Sequence, residues 1–206
     1  MLQHLLAFVE EMSMEVVLEQ LLPPLLGAAS FEIHSFQCKN DLLTNLPSRL
    51  CAYRRWLPPH WAILVLLDRD DGDCHTLKQT LEGMTARAGL VSKSRAGQGN
   101  PFQVVNRIVI EELEAWFFGD WSAVRTAYPR LPVTVPQQTR FRNPDAIAGG
   151  TWESLERILR RSGYFKTGLR KLECAKAVAQ HMDPTHNRSG SFQHFAGAIS
   201  AARLWI

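Results

Sequence analysis

Three apolar runs along the chain each end in a cluster of acids. Residues 4–9 lead into Glu10, Glu11 and Glu15; residues 61–67 lead into Asp68, Asp70 and Asp71; residues 107–110 lead into Glu111, Glu112 and Glu114. Apolar runs without alternation read as strands buried on both faces, as in a parallel sheet covered by helices. A fourth segment does alternate, with Phe31, Ile33 and Ser35 against Glu32, His34 and Phe36, which predicts a half-exposed strand nearer a sheet edge. Between these runs the period changes to that of helices. Met14, Val17, Leu18, Leu21, Leu22 and Leu25 define one buried face after a candidate cap at Ser13, with Pro23-Pro24 as its stop or kink. Leu42, Leu43, Leu46 and Leu50 mark a second helix, and Leu77, Leu81, Met84 and Ala88 a third, capped by Asp73. Residues 92–100 read as a mobile loop by composition, and the last strand is expected at 104–110.

Beyond Glu114 only helical patterns follow. A short helix from Asp120 to Tyr128 precedes a proline-punctuated connector over 129–144. Further helices are predicted from Thr151 to a stop at Gly163, at about 167–182 with Leu169, Leu172, Ala175, Val178 and Ala179 inward, and around Phe192, Phe195, Ala198, Ile199 and Leu204. The expected architecture is therefore α/β: residues 1–128 carry a mostly parallel sheet of about four strands flanked by helices. Residues 129–206 form a connector and a helical C-terminal extension packed on it.

Charge sharpens this division. The formal net charge of +3 hides 12 Lys/Arg against 15 Asp/Glu in residues 1–139 and 11 against 5 in 140–206. An acidic part followed by a basic tail suits a polyanionic substrate held by one and cut by the other, and an ordinary solvated helical surface explains the tail equally well. The four cysteines form no C-x-x-C pair, so reduced thiols in a cytoplasmic protein are expected. The opening run lacks a basic flank and a cleavage site, which makes it a strand and not a signal peptide, and no stretch reaches transmembrane length, so no membrane association is expected. Histidines at metal-binding spacing, a Walker A loop and a G-x-G-x-x-G loop are all absent.

If the three acidic strand ends lie side by side, their repulsion would be relieved by a divalent cation at the carboxyl edge of the sheet. The segment Asp68-Arg69-Asp70-Asp71-Gly72-Asp73 fails as a calcium loop of the EF-hand type, because Gly72 stands at a ligand position and a strand precedes it. A phosphatase of the haloacid dehalogenase type has D-x-D after a strand, normally the first one, and needs a later aspartate cluster that this chain lacks; it stays as a weaker alternative.

Glu10 after a first strand, D-x-D at Asp68 and Asp70 after a later one, and an acidic cluster beyond resemble the TOPRIM fold of topoisomerases, primases and overcoming-lysogenization-defect (OLD) nucleases. More closely, Glu10 with Glu15, Asp68 with Asp70, and Glu114 with Trp116 resemble the TOPRIM-like group that includes RloB proteins and the domain-of-unknown-function 4276 family. Tyr164-Phe165-Lys166 and Asn187-Arg188-Ser189-Gly190-Ser191-Phe192 extend the likeness over nearly the whole chain. Glu11 departs from the TOPRIM pattern, which often has Gly after the first glutamate. The resemblance implies a metal-dependent nuclease, the effector of an anti-phage defence system, paired with a co-encoded ATPase. A homo-oligomer is also compatible with it.

Two Mg²⁺ or Mn²⁺ ions about 4 Å apart would need several hard carboxylate oxygens. Asp68 and Asp70, two apart on an extended segment, point the same way and can bind together. Glu10 is the candidate general acid/base or bridging ligand. Glu15 would reach back from one turn into the helix, and Glu114 would complete the ring, with Glu112 its substitute if the register differs. In the basic set of Arg157, Arg160, Arg161, Lys166, Arg170 and Lys171, and at Arg188, the residues chosen for nucleic-acid binding are Lys166 and Arg188, because they lie in the two loop-flanking motifs. Trp116 is expected to be a core anchor. The competing function is a non-catalytic binding or regulatory module whose carboxylates hold a structural ion or none.

Overall fold

The computed structural model describes residues 1–97 and 99–205. Its strands are β1 (His4–Val9), β2 (Ser30–Ser35), β3 (Trp61–Asp68) and β4 (Val104–Val109), all parallel, in the spatial order β2-β1-β3-β4. Helices α1 (Met12–Leu26), α2 (Lys39–Arg54), α3 (Cys74–Arg87) and α4 (Lys93–Ala96) connect them, and α5 (Glu114–Gly119), α6 (Trp121–Ala127), α7 (Thr151–Arg161), α8 (Lys171–Ala179) and α9 (Gly190–Trp205) follow.

Alternating side chains send Leu5, Ala7, Val9, Leu64, Leu66 and Val105 to one face of the sheet, under α1 and the helices that follow β4. Leu6, Phe8, Ile63, Val65 and Leu67 go to the other, under α2 and α3. Both faces are thus dry, and this is why the strands are continuously apolar. The edge strand β2 alone alternates exposed and half-buried positions at its start.

Several local expectations change in the fold. The first helix begins at Met12, with Glu11 in the cap position, and the Ser13 hydroxyl bonds to the Glu11 carboxylate instead of capping. Pro23 and Pro24 lie inside α1, which runs on to Gly27; both are on the solvent side, where the carbonyls they leave unpaired can be hydrated. The expected loop at 92–100 contains α4, capped by Ser92, while Gln98 lies outside the described residues. The helix expected at 167–182 is only α8, since Gly168 adopts φ +118° and the Leu169 amide bonds to Glu156, leaving Leu172 exposed. In the connector, three short 3₁₀ turns bury Val135, Phe141 and Pro144.

α8 packs on α1, and α9 on β4 and α1, so one apolar core runs from Leu2 to Ala202. Its polar latch is the Asn187–Ser191 segment. Asn187 Nδ2 donates to the Trp116 carbonyl (2.8 Å), its Oδ1 accepts the Ser189 amide (3.0 Å), and the Ser191 amide and the Ser189 hydroxyl donate to Asp145. Trp116, fully buried, donates its indole N–H to the Ser191 hydroxyl at 3.1 Å. Of that motif only Arg188 is left exposed. A Cβ on Gly119 would stand 2.0 Å from Asn187 Oδ1. Gly119→Ala is therefore expected to cost about 1–3 kcal/mol, the range for overpacking, seen as a fall in the midpoint of thermal unfolding; an unchanged midpoint would mean that the latch is able to yield.

Candidate metal centre

Parallel pairing puts the carboxyl ends of β1, β3 and β4 on one edge, so the residues that follow them become neighbours. Val9 lies beside Leu66, and from the next position Glu10 accepts the amide of Asp68 on Oε2 at 3.0 Å. Asp68 closes β3, is 6% exposed, and its Oδ1 has no hydrogen-bond partner. Beyond it the chain keeps pairing with the loop after β4: Arg69 donates to the Val109 carbonyl (2.8 Å) and Asp70 to that of Glu111 (2.9 Å). Glu114, in the first turn of α5, is 5% exposed.

These acids share one electrostatic field. Burial first, then repulsion from Glu10, Glu114, Asp70 and Glu11, holds Asp68 well above the usual carboxylate range. Burial also raises Glu10, against the pull of the Asp68 amide and of Lys39, and pushes Glu114 up to about 7 although Lys171 opposes it. Two lysines face the cluster. Lys39 Nζ, at the start of α2, lies 2.5 Å from Asp70 Oδ2. Lys171 opens α8 with Nζ 4.6 Å from the centre of the Trp152 ring; burial works against its charge, yet Glu114, Glu11, Glu112 and Asp68 hold it above the ordinary lysine range.

The structure thus brings Glu10, Asp68, Asp70 and Glu114 into mutual influence. Glu15 is turned instead to the Ser35 hydroxyl at the end of β2. Asp70 does not follow the alternation of an extended segment. Its φ of +48° reverses the chain, so its carboxylate swings out to Lys39 and is not aligned with Asp68. Glu112, the expected substitute, is committed elsewhere: one oxygen accepts the Thr151 amide, the Thr151 hydroxyl and the Trp152 amide at 3.1, 2.8 and 2.9 Å, capping α7. Lys166 and Arg188 are exposed, and the Arg188 amide donates to the Gly119 carbonyl. Lys39 was not singled out by sequence reasoning, and Lys171 was named only as one of the basic set of the tail. Topology offered a signal for Lys39, because every strand-to-helix connection of a parallel sheet reaches the same edge, and Lys39 opens the helix after β2.

Asp70, Asp71, Glu111, Glu112 and Glu153 also line an adjoining cavity of about 600 Å³, closed by the 146–150 loop. Among the described residues no three histidine, cysteine or carboxylate side chains are gathered as metal ligands: Glu10 rests on an amide and Asp70 on a lysine. The donor set nevertheless fits a hard divalent cation. It consists of carboxylate oxygens, one of them buried without a partner, whose repulsion two lysines leave only partly offset.

An acidic centre at the carboxyl edge of a parallel sheet, roofed by helices, defines the class of this α/β protein. The chain belongs to the family described as domain of unknown function 4276, whose model matches residues 9–200. Among solved structures it is similar to the C-terminal region of the Xanthomonas campestris pv. campestris OLD protein, at 16% identity over 97% of this chain and 95% of that one, with a TM-score of 0.43. No curated protein matches the chain. Among the described residues no helix is long and apolar enough to cross a membrane.

Asp68 and Glu114 hold protons more tightly in the folded than in the unfolded chain, so the folded state binds more protons and stability falls as pH rises through this range. For Glu114 the window runs from 4.5 to about 7, on the order of 3 kcal/mol. In chelator, the thermal midpoint is expected to drop between pH 5 and pH 8, and Glu114→Gln to flatten that drop. Mg²⁺ should restore the midpoint at pH 8. A midpoint independent of pH in chelator would show these carboxylates to be well hydrated.

Proposed function

We propose that the chain is a metal-dependent nuclease that hydrolyses phosphodiesters of DNA or RNA, acting as the effector of an anti-phage defence system beside a co-encoded ATPase. The observation that carries the reading is the buried Asp68 carboxylate, one oxygen without a partner, held within the electrostatic reach of Glu10, Glu114 and Asp70. The TOPRIM-like order of Glu10 after β1 and D-x-D at the end of β3 supports it.

Mg²⁺ or Mn²⁺ would be held by Glu10, Asp68 and Asp70, with Glu15 and Glu114 alongside, and when bound would polarise the phosphodiester and lower the pKa of a water. Asp70 would have to leave Lys39 to join, which frees that ammonium for a phosphate oxygen. Glu10, its carboxyl raised by burial, is suited to take or give a proton at the edge of the site. Lys171, fixed over Trp152, places a positive charge next to the acids where a negative phosphate would arrive. Lys166 and Arg188 would guide the backbone from further out.

The binding-module reading keeps two observations in its favour: Asp70 is already neutralised by Lys39, and Glu11 stands after Glu10 where the TOPRIM pattern often has Gly. The deciding assay compares wild type with Asp68→Asn on DNA, tRNA and structured RNA, with Mg²⁺, Mn²⁺ or EDTA and with any co-encoded ATPase present. Cleavage by wild type with metal, lost roughly 100-fold or more in the variant with an equal or higher thermal midpoint, is the expected result. Equal activity of the two proteins removes the catalytic assignment, and metal binding without cleavage selects the module. Separately, Lys166→Ala with Arg188→Ala is expected to weaken nucleic-acid binding and lower the slope of log affinity against log salt by about one for each charge. An unchanged slope assigns both side chains to the surface alone.

A further inference from the structure

A pocket of about 140 Å³ lies between α7 and the connector that precedes it, and it shares no lining residue with the acidic cavity. Its position follows from the core. The 3₁₀ turns over Val135–Gln137 and Thr139–Phe141 bury Val135 and Phe141, and this lays Arg140 against α7. On α7 the helical period brings Ser154, Arg157, Ile158 and Arg161 to one face. Val135, Phe141 and Ile158 make an apolar floor, and the exposed Arg140, Arg157 and Arg161 stand around it.

The charge of these three arginines is unspent. No carboxylate lines the pocket, and among the described residues none of the three has an ion-pair partner. The acids of α7 are engaged elsewhere: Glu153 lines the acidic cavity, and Glu156 accepts the Leu169 amide at 3.1 Å and lies 4.0 Å from Arg160. Arg140 is nevertheless held in place. One of its N–H groups reaches the buried Ser154 hydroxyl at 3.4 Å, and its guanidinium lies 4.4 Å from the centre of the Phe141 ring. That single bond leaves most of its donors for an acceptor from outside. Converging guanidinium groups with no acid between them repel one another, and the group that relieves this best is a phosphate, whose oxygens match the planar fork. At this size the pocket takes a single phosphate group, so the rest of a larger ligand must lie outside it.

The direction of α7 says which ligand suits the site. The helix starts at the acidic edge, where Glu112 caps it. At the rise of a helix Arg157 and Arg161 stand roughly 9 and 15 Å along its axis from Thr151, about three to four nucleotides of a duplex strand. We propose that the Arg140, Arg157 and Arg161 pocket seats one backbone phosphate of a nucleic-acid strand, a few nucleotides from the bond presented to the acidic centre. The proposal rests on the nuclease reading only for the bond so presented; the capture of phosphate by the pocket is tested without cleavage.

The probes are fluorescein-labelled DNA and RNA of about 20 nucleotides, several times the span of α7, single-stranded and duplex, titrated with the full chain in EDTA and read by anisotropy. Arg157→Gln with Arg161→Gln, two exposed side chains, is expected to weaken binding roughly tenfold or more and to lower the slope of log affinity against log salt by about two, with the thermal midpoint in place. Lysine at both positions should recover part of the loss, since the charge returns without the fork. The control removes the same charge from the opposite face of the sheet: Arg55→Gln with Arg87→Gln, also exposed, should have a much smaller effect. Inorganic phosphate should raise the thermal midpoint of the wild type above that in chloride of equal ionic strength, and raise that of the Arg157, Arg161 variant less. Equal losses in the pocket variant and the control reduce the effect to net charge and overturn the proposal. Stabilisation by phosphate through these arginines with unchanged affinity for every oligonucleotide also overturns it, and makes the pocket a seat for a small phosphorylated ligand. Binding that depends on the pocket, followed by no cleavage when metal is added, upholds the pocket and counts against the nuclease reading alone.

Discussion

Asp68 ends a strand that has neighbours on both sides and helices over both faces, and its carboxylate is withdrawn from water with one oxygen unanswered. Such a group is stable only if it takes a proton or meets positive charge. The arrangement around it reflects that demand. Glu10 leans on the Asp68 backbone, Asp70 is turned aside to Lys39, and Lys171 is brought in from the far end of the chain. The loop after β4 is tied to the D-x-D loop by continued strand-like pairing, and Glu112 in turn fixes the start of α7. The acidic centre and the helical roof are therefore one mechanical unit.

The strands and their burial were legible because a sheet covered on both faces leaves a plain trace, an apolar run with acids where it ends. That Glu10, Asp68 and Glu114 come to one edge of the sheet and feel one another's charge followed from topology, although among the described residues no three carboxylates are gathered as metal ligands. The rest depended on features that spacing does not encode. The left-handed turn at Asp70 defeats the rule that residues two apart share a face, since that rule holds only on extended backbone. Glu112 is one of three clustered glutamates in sequence, and only the packing of α7 makes it a cap. Pro23 and Pro24 read as a stop or kink, yet stand on the exposed side of α1, where water can replace the lost bonds. The Asn187–Ser191 motif offered Arg188 as a nucleic-acid contact, whereas the other polar groups of the motif are used up inside the fold around Trp116.

The basic character of the last third also takes on a definite form. Most of its cations are exposed, as a solvated surface would have them, while among the described residues Lys171 is the one held above its ordinary range by the acids. Net charge thus indicated a real asymmetry but not the residue through which it acts, because charge counts carry no direction.

The core that joins Leu2 to α9, where the Leu2 amide donates to the Arg203 carbonyl, bears on how the chain comes off the ribosome. β1 cannot be sealed on one side until α9 has emerged, which at cellular rates of synthesis is on the order of 10–40 s later for residues 4–205. During that interval α1 displays an apolar face with no cover, so the nascent chain is a natural client for holding chaperones.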